Sequence, residues 1–160
     1  MKCDECNIKM ESTNEQYHFT ECGLDNVYLL GDAVERFKCP ECGEISAVIP
    51  DIRDLMHQLA TGVADKQDRL TGQEVRFLRK RLKKKSVDFA RMLGITPEHL
   101  SRIENGHEGN DASSNLDRLV RYIYHNPDYA ETLVLSDRTS PGTTFTVTSS
   151  IATGLAVECS

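Results

Sequence analysis

Between Asp51 and Ala64 the apolar residues Ile52, Leu55, Met56 and Leu59 recur every three or four positions, the spacing of an amphipathic helix. A second helix is announced by a capping box, Thr71 to Glu74, and places Val75, Leu78 and Leu82 on one face. A third is expected over about Ser86 to Leu93, stopping at Gly94. In the segment ITPEHLSRIENG that follows, Thr96 is a natural N-cap, Pro97 suits the first helical position, Ile95 can staple onto Leu100, and Gly106 closes the helix. A further helix, about Ser114 to Tyr124, turns Leu116, Leu119, Val120 and Ile123 inward, and Asn126-Pro127 can start a short last one. Before Asp51 the period changes. QYHFTEC, NVYLLG and VERFKC are rich in β-branched and aromatic residues and are divided by Gly23 to Asn26 and by Gly31-Asp32, which predicts three short strands of a meander.

These patterns predict an α+β chain of two domains with a tail. Residues 1–67 form a small β-meander plus one helix that ends in a polar linker, ATGVADKQD. Residues 68–135 form an all-α bundle of about five helices. Residues 136–160 are rich in Ser, Thr and Gly. That composition favours a mobile tail, while the alternation of Phe145 and Val147 leaves an added strand open.

The first domain has few apolar residues to bury, and the cysteines supply what is missing. Cys3/Cys6 and Cys39/Cys42 are two Cys-x-x-Cys clips, the spacing that lets both sulfurs of one turn face a single ion. Gly43 suits the tight turn after the second clip. A closed, structural site for one Zn²⁺ per chain is expected; a rubredoxin-like iron site uses the same clips and stays open. Cys22, in a predicted strand, and Cys159 read as ordinary thiols. His18 and His57 can approach a metal but suit surface or packing roles better.

The net charge of -6 hides an asymmetry. From Arg69 to Arg102 there are ten Lys/Arg against three acids, leaving nine basic and 22 acidic residues elsewhere. A local basic segment can bind DNA within an acidic protein, because the phosphate attraction is screened beyond about 10 Å. The chain starts with a polar segment unlike a signal peptide, and no apolar run approaches ~20 residues, so a cytoplasmic protein without a membrane role is expected. No paired catalytic carboxylates, Ser/His/Asp set or phosphate loop stands out, so no enzyme is expected.

SVDFARMLGITPEHLSRIENG has the pattern of a helix-turn-helix: Phe89, Ala90, Leu93, Ile95, Leu100 and Ile103 make its core and Gly94 takes the turn. The helix beginning at Thr96 is then left to present Glu98, His99, Ser101 and Arg102 to DNA, with Thr96, Ser86, Lys84 and Lys85 nearby. By itself RKRLKKK would be a solvated helix end; its place just before a helix-turn-helix favours phosphate contact. One such unit contacts few bases, so a homodimer on a palindromic double-stranded operator is expected.

LGITPEHLSRIENG resembles the signature of Xre/Cro-type repressors. The whole arrangement, CDEC at the N-terminus, CPECG some thirty residues on, a linker and then this helix-turn-helix, resembles the MqsA-type (YgiT-type zinc finger) antitoxins over roughly residues 1–130. The resemblance implies an N-terminal zinc module that neutralises a ribonuclease toxin and a C-terminal domain that dimerises and represses its own operon. A stand-alone regulator, for example of a mobile element, is the alternative. The family's base-reading Asn and Arg fall on Glu98 and Arg102, so a different operator is implied. Its Ser/Thr cap of the second helix of the helical domain falls on Lys85, one residue before Ser86.

Overall fold

The computed structural model describes residues 1–30, 34–107, 112–128 and 132, and the backbone of 145–150 and 154–159. Five short strands precede five helices: β1 (Glu11–Ser12), β2 (Tyr17–His18), β3 (Tyr28–Leu29), β4 (Glu35–Lys38), β5 (Ile45–Val48), then α1 (Ile52–Asp65), α2 (Gly72–Arg81), α3 (Ser86–Leu93), α4 (Pro97–Glu104) and α5 (Ser114–His125). The α+β layout therefore forms as the hydrophobic pattern predicts. The strand detail differs from the expected three. β4 is central to an antiparallel sheet β1-β4-β5, and β2 pairs with β3 separately, Tyr17 opposite Leu29. Thr20–Cys22, expected within a strand, is a 3-10 turn closed by Gly23 in the left-handed region (φ 86°), so Cys22 is not a strand residue.

The helix boundaries follow local chemistry. Asp51 caps α1 by accepting from the N–H groups of Arg53 and Asp54. The Thr71/Glu74 box caps α2 in both directions, and Thr96 accepts from His99 N–H at the start of α4, with Pro97 first in the helix. At α3 the N-cap is Lys85, which makes no side-chain cap bond: the helix starts at Ser86 with a weak cap. α1 runs on to Asp65, so the first six residues of the expected polar linker are helical and bury Ala60, Val63 and Ala64. Leu119 also departs from expectation. It is exposed on the outer side of α5, while Leu116, Val120 and Ile123 point inward. Helical geometry resumes at Pro127 and Asp128, and Thr132, also helical, donates its hydroxyl to the Asp128 carbonyl; residues 129–131 lie outside the described residues.

The largest core is helical, built on Leu70, Val75, Leu78, Phe89, Ala90, Leu100 and Val120. Leu24, from the loop between β2 and β3, is buried in the same cluster, as are the three α1 residues. The connection between α1 and α2 is tied down by α5. Arg121 donates to the backbone carbonyls of Ala64, Lys66 and Asp68, and Asp117 accepts from Leu70 N–H at 2.8 Å. The strand that the tail composition left open is a hairpin, β6 (Phe145–Ser150) antiparallel to β7 (Gly154–Cys159), with Ser150 opposite Gly154. Among the described residues no helix is long and apolar enough to cross a membrane.

Candidate metal centre and nucleic-acid interface

The two clips are tight turns of matching construction. In the first, Cys3 N–H donates to Ile8 and its carbonyl accepts from Asn7 N–H, with Asn7 left-handed at φ 54°. In the second, Cys39 N–H donates to Glu44 and its carbonyl accepts from Gly43 N–H, with Gly43 at φ 77°. Only the second turn has the glycine that sequence reasoning looked for; asparagine, which tolerates this conformation, fills the place in the first. Both turns aim their sulfurs at one point. The four sulfurs lie within 4.8 Å of one another, and Cys3 Sγ and Cys42 Sγ are 3.6 Å apart. Four thiolates at ~2.3 Å from a tetrahedral ion have edges of about 3.8 Å, so this set fits a metal such as zinc. Cys3 and Cys39 are buried against Met10 and Phe37, Cys6 is half-buried and Cys42 is exposed.

The thiols of the cluster differ in proton affinity. The N–H groups of Cys42 and Glu41 lower the Cys39 thiol to about 7, whereas its bond with Cys42, together with burial, raises Cys6 to about 12. Four adjacent anions are unfavourable by themselves; a bound divalent ion supplies the charge that keeps all four deprotonated. Cys22 stands apart, donating to the Phe19 carbonyl, and burial raises its pKa. His18 stacks on Tyr28 and bonds the Asp25 carbonyl, and His57 is exposed on α1; neither belongs to the cysteine group.

The second candidate surface is formed by α3 and α4. α3 ends at left-handed Gly94 (φ 67°), whose N–H bonds Arg91, while Ile95 N–H bonds the Ala90 carbonyl; the chain is thereby turned into α4. Leu100, Ile103 and Glu104 bury one side of α4. Glu98, His99, Ser101 and Arg102 are exposed on the other, so the sequence-expected set shares one face. Thr96 is exposed with its hydroxyl engaged as the cap. Lys85 is exposed and Lys84 and Ser86 are half-buried at the entrance to α3.

What holds α4 in place was not foreseen. Arg79 of α2 makes a two-pronged pair with Glu104 of α4 (2.7 and 2.8 Å) and also donates to the Lys84 carbonyl at 3.1 Å. One guanidinium thus ties together α2, α4 and the loop entering α3, and the Glu104 hydrogen bond raises the pKa of Arg79. Within RKRLKKK, then, Arg79 points into the domain. A signal was available: Glu104 falls four residues after Leu100 on the apolar stripe, where an unpaired carboxylate would be costly. Gly72 was missed as well. A Cβ there would lie 2.0 Å from the Ile103 carbonyl oxygen, so the start of α2 can approach the end of α4 only with glycine at this place.

No curated protein and no solved structure shows a significant match to this chain. Residues 75–122, from α2 into α5, match the helix-turn-helix family, and the chain accordingly carries the domain of a DNA-binding regulator beside a four-cysteine centre that could hold a metal such as zinc.

Proposed function

We propose that the chain is a dimeric, non-enzymatic transcriptional repressor with one structural zinc ion, the antitoxin of a toxin–antitoxin pair that binds a ribonuclease toxin and represses its own operon. The observation that carries the DNA half is the exposed α4 face, Glu98, His99, Ser101 and Arg102, on a helix-turn-helix entered through a basic loop. In this reading Arg102 pairs with a guanine, Glu98 accepts from a cytosine amino group or rejects competing sites, and Lys84 and Lys85 meet phosphate with Ser86 and Thr96 at the helix starts. Two copies place two such helices on a palindrome.

The toxin half is supported by the arrangement of clips and helix-turn-helix, and by charge. Residues 1–68 hold six basic and 14 acidic residues, suited to covering a basic ribonuclease surface. Purification of the full chain with the product of the neighbouring reading frame, and titration of the chain against DNA from upstream of its own gene, test the two halves separately. A stable complex that silences a ribonuclease is expected. DNA binding with no such partner would leave the stand-alone regulator.

A further inference from the structure

We infer that the metal centre controls the DNA-reading helices, because the cysteine module and the helix-turn-helix share one core and are not separate beads. Leu24, only 2 % exposed, is inserted from the loop after β2 into the cluster formed by Val75, Leu78 and Leu100. Next to it Asp25 accepts a hydrogen bond from Gln73, in the first turn of α2, at 2.7 Å. Cys22, Val27 and Met56 pack against both this cluster and the one formed by Phe19, Leu29 and Val34 under the strands. α1 continues from β5 and delivers Ala60, Val63 and Ala64 to the same helical core. From the cysteines the link runs through the β4–β5 ladder: Phe37, packed against the cysteine cluster, pairs with Ser46, and the neighbouring Ala47 and Ile49 pack against the cluster beneath β2 and β3.

The clips have two discrete states, folded with metal and unfolded without it, because among the described residues their own apolar cluster is Cys3, Met10 and Cys39, with Cys6 and Phe37 packed against it. Unfolding withdraws Leu24 and uproots α1 from a helical domain too small to lose part of its core without consequence. α4 is then no longer held as a rigid reader. Linkage is reciprocal, so DNA bound at α4 must in turn hold the metal in place.

The functional consequence rests on α4 being the DNA reader; the coupling itself does not, and the two are tested apart. Hydrogen exchange of the zinc-loaded full chain is measured before and after chelation. The amides of α2 and α4 are expected to exchange at least about tenfold faster once the metal is removed. Faster exchange confined to residues 1–50, with α2 and α4 unchanged, would overturn the coupling whatever α4 binds. In a second arm, zinc loss to a colorimetric chelator is followed with and without a mixed-sequence DNA duplex. DNA is expected to slow the loss in the wild-type chain, and less so in Gln73→Ala, which keeps every cysteine and apolar residue. Equal protection in both proteins would remove the Asp25–Gln73 hydrogen bond as the link. No protection in either, with coupled exchange intact, would instead count against α4 as the reader.

Discussion

Arg102 and Lys84 are both cations of the same motif, yet they are placed for different tasks. Arg102 is exposed at the centre of the outer face of α4, and Lys84 is half-buried at the entrance to α3. Replacing Arg102 with Ala is expected to cost about 1–3 kcal/mol per half-site and to relax preference at one base pair. Lys84→Ala should weaken binding to every sequence alike and lower the salt slope by about one, its backbone bond to Arg79 being retained. Titrations at fixed salt decide the matter: an Arg102→Ala protein with unchanged affinity and preference would mean that α4 is not the reader. The glycines give a second contrast at this scale. Gly62 lies in α1 with open space around its Cβ position, whereas Gly72 faces the Ile103 carbonyl. In denaturant unfolding Gly62→Ala should stabilise by about 0.5–1 kcal/mol, and Gly72→Ala should destabilise by about 1–3 kcal/mol as two backbones are pushed apart. Loss of stability in both would mean that helix propensity does not govern the middle of α1.

The placement of α4 depends on a buried ion pair, and such pairs are more informative when broken than when counted. Glu104→Gln leaves the Arg79 guanidinium largely buried without its anion; the side chains are 6 % and 13 % exposed. The expected cost is about 3 kcal/mol, with weaker binding to all DNA sequences and not to one base pair. A variant that kept its stability but changed its base preference would contradict that role. Whether an element was legible in the sequence follows the same logic of local against distant partners. Helices α2 and α4 could be read because their caps lie within three residues, Thr71 with Glu74 and Thr96 with His99. Three strands were legible too, QYHFTEC, NVYLLG and VERFKC holding β2, β3 and β4; β1 and β5 were not, β1 being two residues long with its partner in distant β4. The cysteine turns were legible as chemistry because their spacing is itself the geometry. The Arg79–Glu104 pair was hidden inside a charged run whose composition suggested solvent.

At the scale of the whole molecule, ATGVADKQD shows what composition cannot convey. Its polar letters read as a linker, but Ala60, Val63 and Ala64 are small apolar residues on one helical face, and their burial is decided by α2 and α5 further along the chain. Arg121 ties down much of the stretch beyond the helix. Arg121 reaches the carbonyls of Ala64, Lys66 and Asp68 while its own charge is met by Asp117, and Asp117 in turn holds Leu70 N–H. The carbonyls of Ala64 at the helix end and of Lys66 and Asp68 after it need donors, and a planar guanidinium has enough of them in a fixed fork. Lysine, a point charge on a flexible stem, does not. Both Arg121→Ala and Arg121→Lys are therefore expected to cost about 2–4 kcal/mol in denaturant unfolding, the lysine recovering little. Limited proteolysis should then cut near residues 65–69. If Arg121→Lys were as stable and as protease-resistant as the parent, charge alone would suffice at the junction, and the fork of hydrogen bonds would not be what joins α1 to the helices that follow.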